Sequence, residues 1–105
     1  DKYLHLMVYG EYIQSPQVLL ANAIAQTLSN YRTPLGHQLD NVYFTNSGTE
    51  AVEGAMKLAK RFTGKPEIVA FSRSYHGSTQ GALSLGDEHF KRNYRPLLPD
   101  IQKLN

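Results

Sequence analysis

Two short clusters carry residue types suited to chemistry. The first, Asn46-Ser47-Gly48-Thr49-Glu50-Ala51, joins a compact apolar run, Val42-Tyr43-Phe44, to a long run of helix formers beginning at Gly48. Ser47 and Glu50 make a Ser-x-x-Glu capping box, in which the serine hydroxyl accepts from the Glu50 amide and the Glu50 carboxylate is expected to reach the amide of Ser47. Gly48 and Thr49 then occupy the first helical turn. Amides there have no carbonyl to bond, and the positive end of the helix dipole faces outward, a setting that suits phosphate. The second cluster, Ser72-Arg73-Ser74-Tyr75-His76-Gly77, follows the strand-like run Glu67-Ile68-Val69-Ala70-Phe71. Tyr75 offers a flat ring for stacking, and Gly77 lets a backbone approach closely. Each cluster alone has a plain structural reading, as a helix cap or a packed loop. Together they describe a pocket for something flat with a phosphate attached.

Other chemistries lack their residues. The chain has no cysteine, which removes disulfides, thiolate metal sites and cysteine nucleophiles. Its four histidines, His5, His37, His76 and His89, are far apart and form no His-Glu-x-x-His ligand pair, so no metal is expected. Thr63-Gly64-Lys65-Pro66 looks like the end of a phosphate loop, but the upstream glycine is missing and Pro66 stands in the Ser/Thr position. No Gly-x-Gly-x-x-Gly run is present. Ser47 lies outside any Gly-x-Ser-x-Gly, and capping explains it better than nucleophilic attack. A net charge of +2, with basic residues scattered rather than striped, argues against a nucleic-acid partner. The apolar runs are too short to cross a bilayer and the start has no signal-peptide plan, so no membrane role is expected and a cytoplasmic location fits.

The elements that must position the two clusters follow from periodicity. Residues 3–9 are apolar and aromatic without a clean period and read as a loop or short strand. Ser15 is expected to cap a helix running to about Asn30, with Pro16 at its first position and Leu20, Ile24 and Leu28 forming a stripe that must pack on something. Turn formers fill residues 31–41. Val42-Tyr43-Phe44-Thr45 reads as a strand covered on both faces. The helix from Gly48 is expected to reach about Phe62, burying Val52, Ala55, Met56, Ala59 and Phe62, with Gly64 as its stop and Glu53–Lys57 as an i, i+4 pair. A strand over 67–71 and a small-residue helix over 78–86 come next, and the tail from Asp87 reads as an irregular cover. Strand, helix, strand is the plan of an α/β protein, whose ligands sit beyond the carboxyl ends of the strands, where both clusters lie. With 105 residues, no initiator methionine and an abrupt end at Lys103-Leu104-Asn105, the chain reads as a piece of a longer protein.

The run from Asn46 to Ala59, followed by Ser74-Tyr75-His76-Gly77-Ser78-Thr79, resembles the class III pyridoxal-phosphate-dependent aminotransferases. That group includes acetylornithine and ornithine aminotransferases and glutamate-1-semialdehyde aminomutase. The resemblance implies that residues 1–105 are part of a cofactor-binding large domain of fold type I, α/β with three layers and a mostly parallel sheet, here incomplete. It implies pyridoxal 5'-phosphate as cofactor, with Ser47, Gly48 and Thr49 on the phosphate side. There the Gly48 and Thr49 amides and the Thr49 side chain make the contacts. Tyr75 would stack on the ring, with His76 and Gly77 completing that wall. Ser78 departs from the arginine the family often has there. The family's Schiff-base lysine and ring-nitrogen aspartate lie downstream, and Lys57, Lys60 and Lys65 have no such context, so no catalytic residue is assigned and the chain alone is expected to be inactive. The implied parent reaction moves an amino group from an amine or amino acid to a 2-keto acid in a homodimer. An aminomutase of the glutamate-1-semialdehyde type and a truncated module binding no cofactor are the rival expectations. In the family the substrate is set partly by the segment corresponding to residues 7–11, partly by later residues and by the neighbouring subunit, and for Tyr9 and Glu11 solvent or packing roles are preferred to substrate contact. The resemblance also implies that the strands at 42–45 and 67–71 are not neighbours in the complete sheet.

Overall fold

The computed structural model describes residues 13–105, so the expectations for residues 3–9, Tyr9 and Glu11 fall outside the described residues. The chain divides into two compact units, Asp1–Tyr43 and Phe44–Asn105.

In the first unit, helix α1 spans Ser15–Thr27. Its cap position is Gln14, extended at φ −113° and ψ 119°, so Ser15 is the first helical residue rather than the cap and Pro16 falls one step later than expected. Proline is tolerated at either place because first-turn amides have no intrahelical partner. The helix also stops three residues short of Asn30, where the Leu28 carbonyl turns to accept from the Tyr31 amide at 2.9 Å. No residue of α1 is buried: of its apolar stripe Leu20 is 52% exposed, and Ile24 and Leu28 are half-buried. Beyond it, an isolated antiparallel bridge joins Arg32 to Gln38 across a turn in which Gly36 takes φ +83°.

The second unit contains α2 (Gly48–Thr63), β1 (Ile68–Phe71), α3 (Gln80–Leu85), α4 (Glu88–Lys91) and β2 (Ile101–Leu104). Strands β1 and β2 pair in parallel, with Ile68 beside Ile101 and Phe71 beside Leu104. The strand–helix–strand unit is therefore real but lies one connection later than expected, running through α3 and α4. Val42-Tyr43-Phe44-Thr45 belongs to neither strand of this sheet. Apolar composition favours extended backbone, but a strand is defined by its ladder, and these residues alone do not specify a neighbour. The tail expected to be irregular supplies β2, whose sequence Ile-Gln-Lys-Leu has no apolar–polar alternation to read.

The core joins Met56 of α2, Ala70 of β1 and Leu85 of α3, with Val52, Ile68 and Ile101 packed against them. Only part of the expected α2 face reaches it: Ala55 and Ala59 are exposed, and Phe62 is 80% exposed. The sheet is likewise covered on one side, leaving Phe71 68% exposed opposite Ala70. A strand apolar on both faces is the mark of a sheet with two covering layers, and the described residues provide one.

Residues 81–85 of α3 are all buried. Ser84, the most buried polar residue, donates to the Gln80 carbonyl at 2.6 Å and accepts from the Leu98 amide at 3.0 Å, fastening the segment before β2 to α3. Two lysines close the far end of α3: Lys91 Nζ donates to the Ser84 carbonyl at 2.9 Å, and Lys103 Nζ donates to that of Leu85. Burial, followed by the charge of Lys91, pushes the Lys103 ammonium below the usual lysine range. Among the described residues, no helix is long and apolar enough to cross a membrane.

Candidate functional site

The junction into α2 is built much as a capping box requires, with one displacement. Ser47 is the N-cap, extended at φ −159° and ψ 163°, and its hydroxyl accepts from the Glu50 amide at 3.3 Å. The Glu50 carboxylate accepts from the amide of Asn46 at 2.8 Å rather than from that of Ser47. The box is closed one residue further out, which directs the Glu50 charge to Asn46. The first-turn amides of Gly48 and Thr49 have no carbonyl within the helix to bond. Gly64, at φ +69°, ends α2 as expected.

The second cluster is held by Asp87. Its carboxylate accepts from the amides of Arg73, at 2.8 Å, and His89, at 3.0 Å, while its own amide donates to the Ser74 carbonyl at 2.9 Å. Asp87 thus ties the turn after β1 to the start of α4, and it supports the left-handed conformation of Arg73 (φ +56°). The amides of His89 and then Arg73 hold the Asp87 carboxyl below its usual range. On this turn the Tyr75 ring is 59% exposed. Its hydroxyl bonds to Ser78 Oγ at 2.8 Å, and its ring meets Phe90 edge-on at 5.2 Å between centroids and 67° between planes.

The two clusters meet at Gly77. It takes φ +132°, and a Cβ there would overlap Oγ1 and Cβ of Thr49, so the loop lies directly on the first turn of α2. Thr49 Oγ1 and Thr79 Oγ1 are 3.0 Å apart, and Thr79 Oγ1 donates to Glu53 Oε1 at 2.5 Å. The Thr79 hydroxyl has one proton and gives it to the carboxylate, so Thr49 is the donor in the first of these bonds. Glu53 Oε1 also accepts from the Ala82 amide at 3.1 Å, capping α3 from the neighbouring helix where α3 has no side-chain cap of its own. Gly81 gives the carboxylate its space, since a Cβ there would overlap it. The Thr79 hydroxyl, against an opposing effect of burial, holds the Glu53 carboxyl below its usual range, helped by the Ala82 and Gly81 amides. Lys57 contributes least, and its expected pairing with Glu53 is not among the ion pairs of the described residues.

The result is one open cleft of about 570 Å³, lined on one side by Ser47, Gly48, Thr49 and Val52 and on the other by residues 75–78. Ser47, Gly48, Thr49, Tyr75, His76 and Gly77 all line this cleft. The hydroxyl of Thr49 turns to Thr79, leaving its amide in the first turn. No carboxylate lines the cleft, and the buried His76 Nε2 has no hydrogen-bond partner. Such an arrangement can receive a flat, anionic ligand: amides and a hydroxyl at one end, an aromatic face and an unused imidazole nitrogen at the other. Sequence reasoning passed over Glu53, Asp87 and Phe90, which hold the site together without entering it. Their partners lie in other elements, and neither periodicity nor a short motif signals that.

Comparison with known proteins gives the same direction. The chain is 48% identical over 83 residues to the acetylornithine aminotransferase of Lactiplantibacillus plantarum, a match covering 78% of this chain and 20% of that protein. It is 35% identical over 103 residues to the acetylornithine aminotransferase of Archaeoglobus fulgidus, covering 97% of this chain and 24% of that one. The crystal structure of a new transaminase from the marine bacterium Virgibacillus superposes with a TM-score of 0.76 at 27% identity, over 98% of this chain and 23% of that chain. The chain therefore spans about a fifth to a quarter of the length of these relatives. The family described as aminotransferase class-III matches residues 1–105, and the chain belongs to that family.

Proposed function

We propose that residues 1–105 form part of the cofactor-binding domain of a pyridoxal-phosphate-dependent aminotransferase that moves an amino group from an amine or amino acid to a 2-keto acid. An acetylornithine- or ornithine-like donor agrees with the names of the relatives above. The observation that carries this reading is the meeting of the two clusters in one cleft, enforced by Gly77 against Thr49. The residues suit the cofactor's chemistry. The Gly48 and Thr49 amides and the Ser47 hydroxyl are donors at the positive end of α2, and the orphaned His76 Nε2 is a buried polar atom wanting a partner. When bound, pyridoxal phosphate supplies an electron sink for charge developing at the amino-bearing carbon. This chain's part is to bind and orient. The helix N-terminus holds the phosphate end, and Tyr75 with His76 sets the plane of the ring. No lysine lines the cleft, so the base and the covalent attachment fall to residues outside it. A cytoplasmic homodimer belongs to the same proposal.

Titration of the protein carrying this chain with pyridoxal phosphate tests it. Near-visible absorbance should develop with saturation, and Thr49→Trp combined with Tyr75→Ala should abolish it. Absence of saturable binding by the unaltered protein would refute the enzyme reading. Product analysis with a candidate donor is expected to show consumption of a keto acid, and turnover without it would point to an aminomutase.

A further inference from the structure

Tyr75 stands as a partition. It lines the cleft shared with Gly48 and Thr49, and it also lines a second hollow of about 290 Å³ bounded by Ser78, Leu83, Phe90 and Tyr94. With 59% of the residue exposed, packing alone does not hold the ring, and the second hollow is space into which it can swing. Two contacts oppose that motion: the 2.8 Å bond from the Tyr75 hydroxyl to Ser78 Oγ at the ring's tip, and the edge of Phe90. Phe90 sits on α4, whose start is anchored through Asp87 to the same turn that carries Tyr75, so ring and backbone share one reference frame. Ser78 also lines both spaces, at the point where the partition closes.

We propose that Ser78 is a positioning residue that locks the Tyr75 ring, against the edge of Phe90, in the plane needed for stacking on the cofactor. The inference rests on the reading of the main cleft as a pyridoxal phosphate site. Ser78 acts through Tyr75 and need not touch the ligand. Without its hydroxyl, the ring must be ordered each time the cofactor binds, a cost that appears as weaker affinity and a less fixed ring environment.

The experiment is a double-mutant cycle on the complete protein, with two readouts: the cofactor's dissociation constant by absorbance titration, and the circular dichroism of its near-visible band. Ser78→Ala is expected to weaken binding about three- to tenfold, the range of one hydrogen bond, and to reduce the dichroism. Tyr75→Phe should do the same, the double variant should be no worse than either single one, and Ser78→Thr should restore both signals. Multiplying effects in the double variant, or an unchanged dissociation constant and band in Ser78→Ala, would overturn the role of Ser78. Should the alanine variant misfold, Ser78→Cys and Tyr75→Phe carry the same comparison. Failure of the unaltered protein to bind cofactor is a different result, one that removes the site reading itself.

Discussion

Gly77→Ala is expected to lower the unfolding free energy by about 2–4 kcal/mol and to destroy cofactor binding in the same variant. Two costs combine. At φ +132° a side chain is strained wherever it is placed, and here the added methyl also overlaps the side chain of Thr49 and comes against its backbone. The loop cannot yield without dragging Tyr75 and His76, and α2 cannot yield without displacing the Gly48 and Thr49 amides. Either movement opens the cleft. Urea denaturation and cofactor titration on the same preparation check the claim. A variant with near-normal stability and affinity would mean that the contact between the two clusters is not what builds the site.

Glu53→Ala should cost about 1.5–3 kcal/mol at neutral pH, because it removes the acceptor for both the Thr79 hydroxyl and the Ala82 amide. Thr79 would then lose its fixed orientation, and with it the donor bond from Thr49 that joins the first turn of α2 to the loop. The effect depends on pH in a defined sense. The folded carboxyl titrates below its ordinary value of 4.5, so the folded state binds this proton less readily than the unfolded chain. The stabilisation is complete above the unfolded value and is lost as pH falls through the folded one. The stability gap between unaltered protein and Glu53→Ala should therefore be full at pH 7 and should narrow as pH drops below 4.5. A gap that stays constant down to strongly acidic pH would contradict the charged-cap account.

These two residues also mark how far the sequence was readable. Local features came through: Ser47 capping α2, Gly64 ending it, the apolar strand before Arg73, and the short helix closed by Gly86 are each decided within a few residues of chain. The pocket residues were legible for the same reason, since each cluster is a compact motif with its own chemistry. What failed was whatever depends on a distant partner. Glu53 has Lys57 one turn away and reads as half of a surface pair, yet its carboxylate serves Thr79 and Ala82 on another element. The strand at 101–104 follows Pro96 and Pro99 and places its two polar residues side by side, without the alternation of a half-buried strand, so only its ladder with β1 reveals it. The run at Val42 errs in the opposite sense, having strand composition without a place in this sheet. Phe62 and Leu20 read as buried because apolar periodicity predicts that a face will be covered but not by which residues, and among the described residues both stay exposed.

On the proposed reading, the N-terminus of α2 is a phosphate cradle facing an aromatic wall. The most direct test of that cradle compares the affinity of the protein carrying this chain for pyridoxamine phosphate with that for pyridoxamine, which differs only in lacking the phosphate and has no aldehyde to cyclise. Two charge-assisted bonds from the Gly48 and Thr49 amides predict a preference of at least about a hundredfold for the phosphate ester, falling by about tenfold or more when Gly48→Pro removes one of the two amides while leaving the helix start in place. Equal affinity for the two compounds would contradict the account.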